Sequence, residues 1–288
     1  NGVSGAPRFY KAARTAGLRA LVGAEVVLTG DPESRLSLLV ESPAGYRNLC
    51  KLLTAAARGK PKGAAAASWE EIAEFSTGLH LLTGGDEGPL AATLLGAGTD
   101  RLEQARAWLE RLSHLFPGRL HVELQRHGRR EEEHRNQALT ALAARLRLPL
   151  VATNGVRYAR KEDKALHDVL TSIRHHLTLD AAGSLLAAHR ERHLLPAAEM
   201  ARRFVDLPQP VTHAFELAQQ LDFTLADLGY RFPDFPLPDG ETPSSYLRQI
   251  TWNHARARFR PLSARAKAQL GRELAMIEKL GLEGYFLI

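Results

Sequence analysis

The sequence predicts an α/β fold in which an incomplete barrel of βα units around a parallel sheet is followed by an all-helical segment. Three observations predict it. Short apolar or β-branched runs alternate with amphipathic helical stretches as far as about Thr153, which is the pattern of a parallel sheet or barrel. Beyond about Asp163 the strands stop and helices follow one another. The chain has 288 residues, enough for one large core or one core with a smaller helical module, since single cores stop growing near ~250–300 residues.

Taken in order, Ala6 to Leu18 reads as a helix ended by Gly17, and Leu21 to Leu28 as a buried strand. Leu36 to Val40 is a second strand, after which Tyr46, Leu49, Leu52 and Leu53 share one helical face. An alanine-rich loop runs from Lys60 to Ala67, and Ser68 caps a short helix. The alternation continues with a strand at Leu79–Thr83, a helix at Asp100–Phe116, a strand at Leu120–Gln125, a helix at Glu131–Leu146 and a strand at Pro149–Thr153. The later helices are expected at Lys164–His176, Ala197–Phe204, Pro210–Leu221, Ser244–Phe259 and Ala264–Leu280, interrupted by a proline-studded connector from Phe232 to Gly240. These readings place a domain boundary near residue 162, with domains at 1–162 and 163–288.

Composition narrows the class. Apolar residues make up 44% and charged residues 24%, close to ordinary globular proteins, so disorder is not expected to dominate. Cys50 is the single cysteine, which excludes an internal disulfide framework and a cysteine-rich zinc site and fits a reducing cytoplasmic setting. No apolar run reaches the ~18 residues of a membrane span, and no export signal opens the chain. The formal charge of +6 and pI near 9.6 permit a polyanionic partner without identifying one. The start at a turn-like Asn1-Gly2 and the apolar end Gly284–Ile288 lead us to expect a piece of a longer protein.

Several residues could carry chemistry. Glu25 places a carboxylate in a mostly apolar strand, as a hard-metal ligand at a barrel mouth or as the partner of a neighbouring arginine. Glu123, Gln125 and His127 share one face of a strand and its exit, and could hold a divalent ion or form a satisfied polar face. Asn154 and Gly155 close the strand series, and Arg157 could contact a phosphate or a carboxylate. His175 and His176, and His189 and His193 four apart, invite a metal reading, although histidines near helix C-termini more often answer the helix dipole. The Leu79–Gly85 stretch with Gly88-Pro89 lacks the lysine and spacing of a phosphate-cradling loop. No Ser-His-Asp arrangement occurs. In the helical half, Arg256, Arg258, Arg260, Arg265 and Lys267 are candidate DNA-binding contacts to phosphate.

The collinear segments Gly23–Glu25, Glu41–Cys50, Leu82–Leu90, Val122–His127 and Ala152–Tyr158 resemble the PHP domain of bacterial C-family DNA polymerases of the DNA polymerase III alpha type. Thr83-Gly84-Gly85 with Gly88-Pro89-Leu90, Ile173–His176 and Phe223–Tyr230 resemble the error-prone branch, and Ile277–Leu280 with Gly284–Ile288 the lead-in to its palm.

The resemblance implies a PHP-type barrel that lacks its first strand and that strand's His-x-His element, leaving an exposed sheet edge. A helical pre-palm segment follows it. For the whole enzyme it implies a DNA-directed DNA polymerase, a nucleotidyltransferase of replication and damage-tolerant repair synthesis, using Mg2+ on DNA primer-template and deoxynucleotides. A sliding clamp and damage-response proteins are its candidate partners, and no membrane is involved. The polymerase's catalytic carboxylates are expected downstream of Ile288, so none falls in this chain. Where the family has PHP metal ligands this sequence holds Arg35, Gly85, Gly155 and Arg157, and Glu25 survives as a remnant. A PHP module with a structural role and no tightly bound ion is therefore expected. A stand-alone PHP-type metal-dependent phosphoesterase is the alternative.

Overall fold

The computed structural model describes residues 2–96, 100–226, 228 and 234–288, with the side chains of Pro32 and Glu33 left aside. Asn1 of the Asn-Gly start, Asp227, Gly229 and Tyr230 of the Phe223–Tyr230 motif, and Phe232 and Pro233 of the connector lie outside the described residues. The chain divides into two compact units, Asn1–Ala226 and Asp227–Ile288.

The first unit opens with α1 (Ala6–Thr15), then β1 (Gly23–Leu28), β2 (Asp31–Val40), α2 (Pro43–Ala57), α3 (Trp69–Phe75) and β3 (Leu79–Leu82). It continues with α4 (Pro89–Leu95), α5 (Arg101–Leu115), β4 (Leu120–Gln125), α6 (Arg130–Leu146) and β5 (Leu150–Thr153), and ends in α7 (Lys164–His175), α8 (Leu179–Ala182), α9 (Ala197–Arg203) and α10 (Gln209–Gln220). The fold is α/β as expected. The five strands form one sheet in sequence order.

Only part of that sheet is parallel. β3–β4 and β4–β5 are parallel, whereas β1–β2 and β2–β3 are antiparallel. For β1–β2 the cause is a connection too short for a crossover: Thr29 and Gly30 alone join the two strands, and Gly30 takes φ 87°, a backbone that glycine adopts without steric cost. β1 lies at the sheet edge, where Ala67 pairs with it through Thr29 N to Ala67 O (2.9 Å) and Ala67 N to Val27 O (2.8 Å).

The helices start where the sequence offers caps. Ser42 Oγ accepts from Gly45 N (3.2 Å) ahead of α2, with Pro43 at its first position, and Ser68 and Glu71 form a reciprocal capping box ahead of α3. Gly45 lies so close to Gly78 that a β carbon there would collide with the Gly78 carbonyl. One face of the sheet, carrying Leu79, Leu81, Leu120, Val122 and Leu124, packs with Leu49, Leu52, Leu109, Leu112 and Leu139 into the main core. On the opposite face, Leu82 and Val151 meet Leu217 from α10 and Leu221 just beyond it.

The second unit contains α11 (Pro243–Arg258), α12 (Ala264–Leu280) and α13 (Glu283–Leu287). Its small core gathers Leu247, Leu274 and Leu287 with Phe235, Tyr246 and Ile277. Arg248 on α11 pairs with Glu278 on α12 at 3.2 Å.

Candidate functional site

Strand alternation sends Leu120, Val122 and Leu124 into the main core and His121, Glu123 and Gln125 to the opposite face, all of them buried. At the C-terminal ends of β3, β4 and β5 that face borders a cleft of about 220 Å³. The cleft gathers Glu25, Arg35, Gly85, Glu123, Gln125, Gly155 and Arg157 from across the sequence.

Its charged residues are already paired. Arg157 donates to Glu25 from Nη1 (3.2 Å) and to Glu87 from Nη2 (2.6 Å). Arg35 stands 3.8 Å from Glu25 and 3.2 Å from Glu87, and Arg192 donates to Glu87 (3.1 Å) and to the Gly155 carbonyl (2.8 Å). Glu87 is thus the hub of three guanidinium groups. Burial works against its charge, but Arg157, Arg192 and Arg35 together hold its carboxyl below the usual carboxylate range.

Deeper in the cleft, Glu123 Oε1 accepts from Gln125 Nε2 (2.7 Å) and from the Thr153 hydroxyl, and Thr83 Oγ1 accepts from Glu123 N (2.9 Å). The Gln125 carboxamide lies against Gly85 and Gly155, so a β carbon at either position would meet it. Gln125 Oε1 is buried and has no hydrogen-bond partner among the described residues.

This donor set does not fit a cluster of divalent ions. Two guanidinium groups flank Glu25, and an arginine stays protonated and repels a cation. Glycine offers no side-chain ligand at 85 or 155, and the amide of Gln125 fills the space beside both.

His127 is placed elsewhere. Among the described residues, His127, Glu132 and His189 form the group whose ligand atoms, within 4.8 Å of one another, could hold a metal ion. Their polar atoms already have protein partners, His189 Nδ1 accepting from Glu191 N (3.2 Å). The His127 ring faces Glu132 Oε1 through Nδ1 (2.5 Å) and the Asn154 carbonyl through Nε2 (3.1 Å), and Glu132 also accepts from His127 N (2.8 Å). Burial disfavours the Glu132 carboxylate, yet the bonds from the His127 ring and backbone outweigh it and hold the group at about 2. His189 lies 4.6 Å from the His127 ring, and partial burial followed by His127 lowers its pKa.

His175 and His176 sit exposed at the end of α7, and His193 is half-buried with Nδ1 facing the Arg190 carbonyl (3.2 Å). Arg256, Arg258, Arg260, Arg265 and Lys267 are all exposed in the second unit. Sequence reasoning did not single out Glu87, Arg192 or Glu132. Glu87 carried one usable signal, its place in the glycine-rich Thr83–Gly88 turn at a strand end.

A second buried pair lies on the same face as the cleft. His80 Nδ1 and His121 Nε2 are 2.9 Å apart, and His80 Nε2 lies 3.8 Å from Glu41. Burial first, and then His80 and His213, lowers His121 to about 4, while burial also lowers His80.

Known proteins are similar to this chain in sequence. A PHP domain matches residues 1–127. The chain is 38% identical over 300 residues to the error-prone DNA polymerase of Mycolicibacterium paratuberculosis, a match spanning 100% of this chain and 27% of that protein. It is 34% identical over 300 residues to the DNA polymerase III subunit alpha of Pseudomonas fluorescens, spanning 98% and 25%, and 33% identical over 305 residues to the error-prone DNA polymerase of Symbiobacterium thermophilum, spanning 100% and 28%. The chain therefore spans about a quarter of the length of these curated relatives.

Proposed function

We propose, for a chain that belongs to the family of bacterial DNA polymerase III alpha subunits and error-prone DNA polymerases, that it serves as the PHP module and helical approach of such an enzyme. The observation that carries this reading is the extent of the match. It runs through the helical residues 163–288 as well as the PHP region, and a stand-alone phosphoesterase has no need of that extension.

The activity of the whole protein is then template-directed nucleotidyl transfer on DNA primer-template and deoxynucleotides, in replication and damage-tolerant synthesis. In such an enzyme paired divalent ions, which we take to be Mg2+, stabilise the attacking and leaving oxygens. We assign the carboxylates that hold them to the part of the relatives that this chain does not span. Sliding-clamp and damage-response partners belong to the same reading, as does a cytoplasmic setting, where the DNA substrate is. Among the described residues no helix is long and apolar enough to cross a membrane.

Within this chain, the domain division we favour is a PHP unit at 1–162 and a pre-palm segment at 163–288. The PHP cleft is structural: its ion pairs and the Gln125 amide support a role in holding β1, the Gly84–Gly88 turn and the 189–193 segment together. Arg256, Arg258, Arg260, Arg265 and Lys267 bind the DNA backbone.

The test compares the full-length protein with the chain alone. Primer extension is expected from the full-length protein, and neither extension nor phosphomonoester hydrolysis from the chain with Zn2+ or Mn2+. Metal-dependent hydrolysis by the chain that Glu25→Ala abolishes would replace this reading with the stand-alone phosphoesterase.

A further inference from the structure

We infer that a pocket between α4, α5 and α6 is a binding site for an aliphatic carboxylate, with Arg135 as the anchor for its charge. The pocket holds about 400 Å³, inside the ~300–1,000 Å³ range of small-ligand sites. Leu94 and Leu95 from the end of α4, Leu102 from the start of α5 and Ala138 of α6 make its apolar walls. It shares no lining residue with the strand-end cleft.

The walls argue for the hydrocarbon part of the ligand. Leu94 belongs to the main core and Ala138 packs against it, so both are fixed by the packing behind them. Leu95 and Leu102 stay 53% and 54% exposed, and a chain entering the pocket would take that apolar surface out of water. Among the described residues that line the pocket there is no phenyl, phenol or indole ring to stack on a flat ligand, so the walls suit a flexible aliphatic chain.

The charged lining argues for the head group. Arg135 is 4% exposed, and its Nη1 donates to Asp86 (2.6 Å) while its Nη2 is buried with no hydrogen-bond partner among the described residues. A buried guanidinium N–H without an acceptor is costly, and a carboxylate oxygen answers it with a charge-assisted bond. Arg101 is held at the pocket by donating from Nη1 to the Leu94 carbonyl (3.1 Å). It is also the first residue of α5, so the positive end of that helix dipole lies at the pocket. Glu131, which lines the pocket as well, stands 3.6 Å from Arg129. With histidine counted as neutral, Arg101 and Arg135 against Glu131 leave a single positive charge in the lining, which a monoanionic head balances. The inference stands apart from the polymerase reading.

The test is calorimetric titration of the full-length protein with sodium octanoate. Octylammonium chloride, with the same chain on a cation, and sodium acetate, with the head and no chain, are the controls. Saturable octanoate binding is expected, roughly tenfold tighter than either control. Leu102→Glu replaces an apolar wall with a carboxylate and should weaken octanoate roughly tenfold; Leu95→Glu, at the other exposed wall position, takes its place if Leu102→Glu is misfolded. Arg135→Lys keeps a cation against Asp86 but lacks the second guanidinium arm, and should weaken octanoate roughly tenfold while leaving octylammonium unchanged. Circular dichroism checks that each variant is folded, and if Arg135→Lys is not, the wall variant and the octylammonium control decide. Octanoate heat that does not saturate, a control that binds as tightly as octanoate, or a folded variant that binds octanoate like the native protein overturns the inference.

Discussion

Mild acid should destabilise the first unit through the buried His80–His121 pair, well before its carboxylates titrate. His121 falls from the ordinary 6.5 to about 4 because burial, and then His80, disfavours its charge. A histidine with a depressed folded pKa is protonated first in the unfolded chain, so stability is full above about pH 7 and declines as pH drops through 6.5. The decline is complete below about 4. Linkage over that shift gives a loss of about 2 kcal/mol at pH 5 and about 3 kcal/mol at its limit, from His121 alone. His80 and His189 move in the same direction and steepen the slope. Urea unfolding followed by circular dichroism at pH 7.5, 6.5, 5.5 and 5.0 reads this directly. The variant His121→Gln should keep less than about half of the slope between pH 6.5 and 5. A native midpoint that stays level across that window, or a slope unchanged in the variant, would refute the reasoning.

Three further outcomes are expected. Glu132→Gln strands the fully buried His127 ring and weakens the cap of α6, and should cost about 2–4 kcal/mol in urea unfolding; since the Glu132 pKa is depressed to about 2, the native pair contributes above the ordinary carboxylate range and fades as pH falls through about 2, so the deficit of the variant should shrink in strong acid. Gly85→Ala should destabilise by about 1–3 kcal/mol through collision with the Gln125 amide, and adding Gln125→Ala should recover part of that loss; strictly additive effects would mean the two residues do not touch. Neutralising Arg256, Arg258, Arg260, Arg265 and Lys267 together in the full-length protein should flatten the slope of log affinity for primed DNA against log salt by roughly one unit for each phosphate no longer neutralised, and an unchanged slope would remove them from the interface.

Much of the fold was legible because it rests on local periodicity. The strand at Leu120–Gln125 and the helix at Ala264–Leu280 are found where the pattern places them. The antiparallel β1–β2 pair was missed because the apolar run of the second strand begins only at Leu36, which leaves the extended residues from Asp31 to Arg35 looking like a connection. α4 was hidden by its small residues, although Pro89 after Gly88 is a helix-start signal. In the cleft, Glu25 and Arg157 could be named, and their pairing was one of two open readings. Glu87 and Arg192 meet across 105 residues, and no periodicity or spacing reports such a pair. His127 and Glu132 are five residues apart, but they meet across a strand exit and a helix start, where neither the strand nor the helix period applies.

The separation of the cleft's partners along the chain also governs when they can meet. Arg157 reaches Glu25 across 132 residues, so that bond forms only after the intervening strands and helices have assembled. Contacts that form after the rate-limiting step of folding are also the first to leave on unfolding. If the three arginines and their glutamates close in that late order, they act as a clasp on the lifetime of the folded state: weakening them is expected to hasten unfolding while the folding rate stays nearly constant.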